Sequence, residues 1–194
     1  MKIIDISVPV NKNLPVWPNT SGFQITRLNA HESHISMNAH VGTHLDAPRH
    51  FVPKGLPIDK MPLDTFIGPA LVMALSKIKD IPKGTERVLF KTSNSKLWAK
   101  KGNKFHKDYV GLTAKEARAL VKKKIKLVGI DYLSIAKFSE AKEVHEILLK
   151  SGIAILEGLN LTRVKPGKYQ LICLPVNISN IEASPTRAVL LTNR

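Results

Sequence analysis

The amino-acid sequence predicts an α/β fold in which a mixed β-sheet is combined with two main helices. Two segments show helical periodicity, and each is followed by a short apolar run of the kind that forms a buried parallel strand. Further strand-like segments precede the first helix and follow the second. Alternation of helices with buried strands is typical of α/β proteins. A chain of 194 residues can bury a substantial core, so residues 1–194 are predicted to form a single domain.

Eight or nine strands are predicted from apolar runs and from the alternation of apolar and polar residues. Segments rich in Pro, Gly and Asn separate them. The predicted strands are 2–10, 23–28, 33–39, 66–75, 87–92, 127–131, 153–156, 170–175 and 188–192. Residues 95–109 are polar and rich in lysine, and we expect them to form an exposed excursion.

The two helices have recognisable ends. Thr113 and Glu116 have the spacing of a capping box, and apolar residues then recur at helical intervals, which predicts a helix over 113–124. The second helix is predicted to begin at Ser139 and to end at Gly152, because glycine commonly terminates helices.

The net charge of +15 is the bulk property that departs most from ordinary globular composition, and it raises the possibility of a nucleic-acid partner. The densest basic cluster, residues 122–126, lies at the end of a predicted helix, where cations interact favourably with the helix dipole. That cluster contains no aromatic residues for base stacking. We therefore do not expect nucleic-acid binding to be the main function. Lysine-rich composition of the host's proteins, or steering of an anionic substrate, would explain the charge as well.

Other bulk features exclude several classes of protein. The single cysteine, Cys173, excludes an internal disulfide and a cysteine-rich zinc site. No apolar run approaches the roughly 18 residues of a membrane span. The N-terminal residues do not show the long apolar region and small-residue cleavage site of a secretory signal. We therefore expect a cytoplasmic protein with no membrane partner.

The stretch from residue 40 to residue 50 carries three imidazoles and one carboxylate, from His40, His44, Asp46 and His50. Imidazole nitrogen and carboxylate oxygen are the ligands that Zn²⁺ accepts, and catalytic zinc sites typically use three protein ligands. The alternative is a run of surface histidines that bind nothing. Four such groups this close together favour a metal site.

The spacing within this stretch argues against a helix. Gly42 lowers helix propensity, and Pro48 would block a helix that continued past Asp46. We therefore predict a strand ending near His40, followed by an irregular loop. In an extended segment His44 and Asp46 would point to the same side, and a tight turn at Gly42 would bring His40 into the same cluster.

Three residues outside this stretch are candidates whose roles remain open from the sequence. Glu157 ends an apolar strand, and a carboxylate there costs free energy unless a cation or hydrogen-bond donors meet it. His145 lies twelve residues earlier, so a helix-to-strand return can bring it to the same site. Trp17, in a proline-rich loop, is either a wall for an aromatic substrate or an anchor that packs on the core.

Two further polar residues also have two possible roles each. Asp131 ends a predicted buried strand, where α/β sheets place ligand-binding residues, but it could instead cap the next segment of the chain. Arg187 could bind a substrate carboxylate or form a buried structural ion pair, and the structural role is the preferred interpretation.

Residues 40–50 read His-x-Gly-Thr-His-x-Asp-Ala-Pro-x-His, which resembles the signature of the metal-dependent cyclase family that includes the bacterial kynurenine formamidases (arylformamidases). Later segments fit the same family in order, so the resemblance extends over nearly the whole chain. These segments are 129–131 with Ser134, 145–149, 157–161 and 184–188. The resemblance implies a swivelling β/α/β-type domain and a homodimer or larger homo-oligomer.

The resemblance also implies a two-metal centre. His40, His44 and Asp46 would bind one ion, His145 and Glu157 would lie near the other, and Asp46 or Glu157 would bridge them. Zinc is the expected metal and manganese is the alternative. His50 is assigned as the general acid/base beside the metals rather than as a ligand, because an amide leaving group needs a proton.

The function implied is metal-dependent hydrolysis of a carbon–nitrogen bond in a small-molecule amide. The reference reaction is arylformamidase-type hydrolysis of N-formylkynurenine to kynurenine and formate, a step of tryptophan catabolism. A cyclic amide hydrolase of the isatin type is the alternative within the family. A basic nucleic-acid-binding protein with a structural metal is the alternative from another class. A non-catalytic family member is disfavoured because all six candidate residues, the five metal ligands and His50, are present.

Overall fold

The computed structural model describes residues 1–99 and 104–192. Eleven strands and two α-helices are present in this part of the chain. In chain order they are β1 (Lys2–Asp5), β2 (Gln24–Arg27), β3 (Ser33–Ser36), β4 (His44–Asp46), β5 (Ile67–Ala74), β6 (Arg87–Lys91), α1 (Ala114–Lys122), β7 (Leu127–Ile130), α2 (Ala141–Lys150), β8 (Ala154–Glu157), β9 (Gly167–Ile172), β10 (Ala183–Pro185) and β11 (Val189–Thr192). Short 3-10 turns connect several of them.

Nine strands form one mixed sheet in the order β1-β11-β9-β5-β6-β7-β8-β4-β10. The central strands β5, β6, β7 and β8 run parallel to one another, and the remaining neighbours pair in antiparallel fashion. The predicted α/β class with a mixed sheet and two main helices is confirmed. Strands β2 and β3 form a separate hairpin, in agreement with the predicted strand pair upstream of residue 40.

The sheet has an apolar core on each face, because neighbouring residues of its central strands point to opposite sides. On β8, Ile155 packs in the core that includes residues of α1 and α2, whereas Leu156 packs in the core on the other face. Both helices therefore cover the same face of the sheet. Neither has the length and apolarity needed to cross a bilayer, and no other helix among the described residues has them.

The capping box of α1 is present as the sequence predicts. The Thr113 hydroxyl accepts a hydrogen bond from the Glu116 N–H at 3.3 Å, and the Glu116 carboxylate accepts one from the Thr113 N–H at 2.8 Å. Helix α2 ends at Lys150, and Gly152 follows with a φ of +74°. Glycine adopts this left-handed conformation without steric cost, which explains why the helix stops there.

The prediction of an exposed excursion over residues 95–109 is partly wrong. Ser95 and Tyr109 are buried, and Trp98 donates a hydrogen bond from Nε1 to the Leu159 carbonyl. Aromatic residues lie among the lysines of this segment and pack onto the loop after β7. The prediction rests on the polar composition of the whole segment and does not take these aromatic residues into account. Residues 100–103 of this prediction lie outside the described residues.

Candidate metal centre

His44 and Asp46 lie on β4, a three-residue strand that is buried along its whole length. The prediction of an irregular loop is therefore wrong for these residues. Strand β4 pairs with β8 on one side and with β10 on the other, so two partners satisfy its backbone despite its shortness. Because side chains alternate along a strand, His44 and Asp46 point to the same side of the sheet, as the spacing predicts.

His40 reaches the same place from a turn between β3 and β4. Strand β3 ends at Ser36, and the chain then reverses through Gly42, which has a φ of +72°. The turn lies against Gly158, where a Cβ atom would come within 2.0 Å of the Gly42 carbonyl oxygen. This close approach holds the turn against the end of β8. As a result, His40 Nδ1 lies 3.0 Å from Asp46 Oδ1.

Helix α2 and strand β8 supply the other half of the cluster. Glu157 is the last residue of β8 and lies directly opposite His44 in the sheet register. His145 projects from α2, and its Nε2 lies 3.2 Å from Glu157 Oε1. His44 Nε2 lies 3.4 Å from Glu157 Oε2 and 3.5 Å from Asp46 Oδ1. The structure therefore brings together all five side chains that the sequence analysis assigned to a metal.

The five residues form two groups of potential ligands that share Asp46. One group contains His40, His44 and Asp46, and the other contains Asp46, His145 and Glu157. Within each group the ligand atoms lie within 4.8 Å of one another. A carboxylate has two oxygens, so Asp46 could serve as a ligand in both groups.

Unsatisfied polar atoms show that the residues fit a cation. Within the described residues, His44 Nε2 and both carboxylate oxygens of Asp46 are buried and make no well-formed hydrogen bond. Buried polar groups are otherwise almost always hydrogen-bonded, and an unsolvated carboxylate is costly. A divalent ion accepts imidazole nitrogen and carboxylate oxygen, so it would satisfy all three atoms.

Backbone carbonyls fix the orientation of two of the histidines. The Nδ1 atom of His44 lies 3.0 Å from the Gly42 carbonyl oxygen, and that of His145 lies 2.6 Å from the Ala141 carbonyl oxygen. A carbonyl only accepts, so each Nδ1 carries the proton. In the neutral form of each ring, Nε2 then carries the lone pair and faces the cluster, which is the arrangement found for metal-binding histidines.

The charges within the cluster shift the pKa values of its members. Burial opposes protonation of His40, but the carboxylates of Asp46, Glu157 and Glu182 outweigh it and raise the pKa of His40 to about 9. Burial also raises the pKa of Asp46, yet the neighbouring histidines, His40 foremost, bring it well below the usual range. The pKa of Glu157 is lowered as well, because His145 and His44 outweigh burial and the charge of Asp46. Both carboxylates are therefore anionic at neutral pH and available as ligands.

His50 lies beside the cluster and is not part of either ligand group. Its ring centroid is 4.3 Å from that of His40 and 5.9 Å from that of His145. Burial lowers the pKa of His50, and the adjacent imidazoles contribute to the same direction. Sequence reasoning missed Phe51, whose ring lies 5.0 Å from the His145 ring and 4.4 Å from the His50 ring. The position of Phe51 directly after the motif is the signal in the sequence that could have identified it.

Trp17 packs in an aromatic cluster. Its ring stacks on Phe138 at 5.3 Å and meets the edge of Phe105 at 5.1 Å. This packing agrees with the interpretation of Trp17 as a loop anchor. Contact between Trp17 and a substrate stays a prediction.

Asp131 and Arg187 have structural contacts. Asp131 is fully buried and accepts hydrogen bonds from the backbone N–H and hydroxyl groups of Thr92 and Ser95, so it caps the segment after β6 rather than the segment that follows Asp131 in the chain. Arg187 pairs with Asp5. The expectation of a buried ion pair is wrong, because 77% of the Arg187 side chain and 42% of the Asp5 side chain are exposed.

Glu182 is a second residue that sequence reasoning missed. Its Oε1 lies 3.4 Å from His40 Nε2, at the outer edge of the cluster. The contact arises from the pairing of β10 with β4, two strands that are far apart in the chain. The sequence offers no local signal for that pairing.

A buried cluster of imidazoles and carboxylates beside the carboxyl end of a parallel strand is the kind of site that metal-dependent hydrolases use. Residues 4–137 match the family model described as putative cyclase. The chain is 36% identical to the kynurenine formamidase of Salinibacter ruber, over 98% of this chain and 97% of that protein. The chain belongs to this putative cyclase family, which confirms the resemblance seen in the sequence.

Solved structures agree with this assignment. A structure described as a potential metal-dependent hydrolase with cyclase activity superposes with a TM-score of 0.86 at 33% identity, covering 97% of this chain and 96% of that one. An isatin hydrolase bound to the product analogue thioisatinate gives a TM-score of 0.86 at 21% identity, covering 100% and 93%. The second likeness establishes the shared fold.

Proposed function

We propose that this enzyme is a metal-dependent amidohydrolase that cleaves the formyl amide of an aromatic amine, with N-formylkynurenine as the reference substrate. The observation that carries the proposal is the set of buried, unsatisfied ligand atoms on His44 and Asp46 between two histidine-containing groups. The similarity to kynurenine formamidases over nearly the full length of both chains supports the choice of substrate class.

His40, His44 and Asp46 would hold one ion, and Asp46, His145 and Glu157 would hold a second. Zinc is the proposed metal because three of the five ligands are imidazoles, and manganese is the alternative. When bound, such ions lower the pKa of water towards neutrality and polarise the scissile carbonyl.

His50 is the proposed general acid/base. Its lowered pKa keeps the ring neutral at neutral pH, so it can accept a proton from water. An amide nitrogen leaves poorly as an anion, and His50 would then give the proton to the departing nitrogen. Its ring lies against that of His40, close enough to act on groups held in the centre.

The aromatic cluster around Trp17 is the proposed binding region for the aromatic part of the substrate. Trp17 and Phe105 are only partly buried, so part of each ring remains accessible. An aromatic substrate would gain contact area there at a small entropic cost.

The decisive experiment is metal analysis of protein purified without chelator, followed by turnover of N-formylkynurenine and isatin. We expect one to two zinc ions per chain, hydrolysis of N-formylkynurenine, loss of activity on chelation, and recovery on adding Zn²⁺. Preferential hydrolysis of isatin with Mn²⁺ would favour the cyclic-amide alternative. Metal-loaded protein that hydrolyses neither substrate would contradict the proposal.

The nucleic-acid alternative predicts tight binding that weakens steeply with salt. Contacts within the basic cluster weigh against it. Lys123 donates to the Ile81 carbonyl, and Lys126 pairs with Asp64 and Glu86. These lysines are engaged in the fold itself, which reduces the charge available for phosphate groups.

A further inference from the structure

The imidazole of His40 lies between two carboxylates. Its Nδ1 is 3.0 Å from Asp46 Oδ1, on the side of the cluster that His44 also faces. Its Nε2 is 3.4 Å from Glu182 Oε1, on the side that opens towards solvent. The Nδ1 atom therefore faces a proposed metal ligand, whereas the Nε2 atom faces a carboxylate that belongs to neither ligand group.

We propose that Glu182 is a positioning residue of the metal centre, which accepts a hydrogen bond from the Nε2–H group of His40 and thereby directs the Nδ1 lone pair towards the ion. An imidazole that binds a metal has given up one proton and keeps one N–H group, and the hydrogen bond made by that group decides which nitrogen binds the metal. A carboxylate acceptor also increases the electron density of the ring, which strengthens the other nitrogen as a ligand. The inference rests on the proposed metal centre.

The other two histidines provide an internal comparison. His44 and His145 have their Nδ1–H groups bound by backbone carbonyls, so they present Nε2 to the cluster. Across residues 1–99 and 104–192, the His40 ring makes no hydrogen bond to a backbone carbonyl. The carboxylate of Glu182 takes the place of that carbonyl as the acceptor, and it does so at Nε2 of His40 rather than at Nδ1. His40 is thus the histidine of the centre that binds through Nδ1 and relies on a side chain for its orientation.

The backbone around Glu182 is held in place on three sides. The Ile181 carbonyl accepts from the Ile58 N–H at 3.0 Å, and the Glu182 carbonyl accepts from the Ala47 N–H at 2.9 Å. The next residue, Ala183, pairs with Asp46 in the sheet. The Glu182 side chain is 39% exposed, but its Cα is fixed relative to a metal ligand. The fixed backbone keeps the Glu182 carboxylate within reach of the His40 ring.

The test compares Glu182→Ala and Glu182→Gln with the wild type, using Zn²⁺ alone as the probe. Dissociation constants are measured by competition with a chromophoric chelator. Loss of such an orienting partner typically weakens metal binding by about 10–100-fold, and we expect this factor for Glu182→Ala. Glu182→Gln keeps an acceptor oxygen and should weaken binding by a smaller factor. Glu146→Ala, which removes a partly buried carboxylate next to His145 on α2, is the control and should bind Zn²⁺ as the wild type does.

The second readout is the protonation pattern of His40 in ¹⁵N-labelled, zinc-loaded protein. Long-range ¹H–¹⁵N correlation spectra should show a metal-bound Nδ1 and a protonated Nε2 in the wild type. They should show loss of this pattern, or exchange between tautomers, in Glu182→Ala. A residue that only stabilises the fold would not change this signature. Circular dichroism of each metal-free variant verifies folding, and Glu182→Gln keeps the test valid if Glu182→Ala does not fold.

The outcomes separate this inference from the proposed function. Wild-type zinc affinity in both Glu182 variants, or binding of His40 through Nε2, overturns the positioning role even if the enzyme hydrolyses amides. Equal weakening in the Ala and Gln variants also overturns it, because the effect would then arise from charge alone. The expected affinities without any amide hydrolysis would uphold the positioning role and contradict the proposed substrate.

Discussion

Asp46 determines how the two halves of the centre are connected. Its side chain is fully buried, and its oxygens lie 3.0 Å from His40 Nδ1 and 3.8 Å from His145 Nε2. Those two histidines come from segments about a hundred residues apart in the chain. A single anionic group between them explains why a turn and a helix that are otherwise unrelated converge on one strand.

Replacing His50 tests its separation from the metal ligands. His50→Ala should keep its metal content but lose turnover by about 10²–10⁴-fold, the usual contribution of a general acid/base. His44→Ala should lose metal in addition to turnover, because the Nε2 atom of His44 faces the cluster and makes no well-formed hydrogen bond among the described residues. Metal analysis and steady-state rates measure the two effects. The exposed His31→Ala is the control for removal of an imidazole, and a parallel loss of metal and turnover in His50→Ala would make His50 a ligand.

Tyr109 carries a buried hydroxyl without a well-formed hydrogen bond among the described residues. Burial raises the pKa of Tyr109, and the nearby Ser134 hydroxyl offsets this only in part. An unsatisfied buried group costs about 1–3 kcal/mol, so Tyr109→Phe should leave the free energy of unfolding unchanged or raise it. Urea denaturation of the metal-free protein measures this effect.

Tyr132→Phe is the matched control for Tyr109→Phe. The Tyr132 hydroxyl accepts a hydrogen bond from the His106 N–H at 3.1 Å, and Tyr132 is fully buried. Its removal should therefore destabilise the protein by about 1 kcal/mol. A comparable loss in Tyr109→Phe would mean that the Tyr109 hydroxyl has a partner in solution.

At the scale of elements, local signals were read correctly from the sequence and distant pairings were not. The ends of α1 and α2 follow from the capping box at Thr113 and from Gly152, which act within one or two helical turns. Strand β4 was missed because its stability comes from β8 and β10, more than a hundred residues away. The same β10 pairing positions Glu182. The motif gave the ligand types, but the sheet determines which atoms face each other.

The contact between the turn at Gly42 and the end of β8 can be tested through Gly158. Gly158 has a φ of +69°, and an added Cβ would lie 2.0 Å from the Gly42 carbonyl oxygen. Gly158→Ala should displace the turn that carries His40, which weakens zinc binding and lowers the free energy of unfolding. The loss should exceed the ~1–2 kcal/mol that left-handed backbone alone costs a residue with a Cβ.

Gly152→Ala separates the cost of a left-handed backbone conformation from the cost of the close contact with Gly42. Gly152 has a φ of +74°, but an added Cβ there would meet no atom within 4 Å. Gly152→Ala should therefore show only the backbone cost and should bind zinc normally. Equal stability and equal zinc affinity of the two variants would show that the approach of Gly42 to Gly158 is not needed for the centre.

At the scale of the whole molecule, the hairpin of β2 and β3 lies apart from both cores. All eight residues of its strands are exposed, and Ile25 and Ile35 pair across it with 59% and 57% of their surfaces accessible. A two-stranded hairpin is only marginally stable in water without a surface to pack against. Because the hairpin ends four residues before His40, how firmly the hairpin is held affects the position of His40 in the metal centre.

We propose that a second copy of this chain covers the hairpin, in line with the homo-oligomer expected from the sequence. Light scattering coupled to size exclusion should then give the mass of at least two chains. The double variant Ile25→Glu/Ile35→Glu should shift the protein towards the monomer, because burying two carboxylates in an apolar contact is costly. Leu63→Glu, which alters an apolar residue of similar exposure away from the hairpin, should keep the wild-type mass. A monomeric wild type at micromolar concentration, or an oligomer that survives the double variant, would contradict the proposed interface.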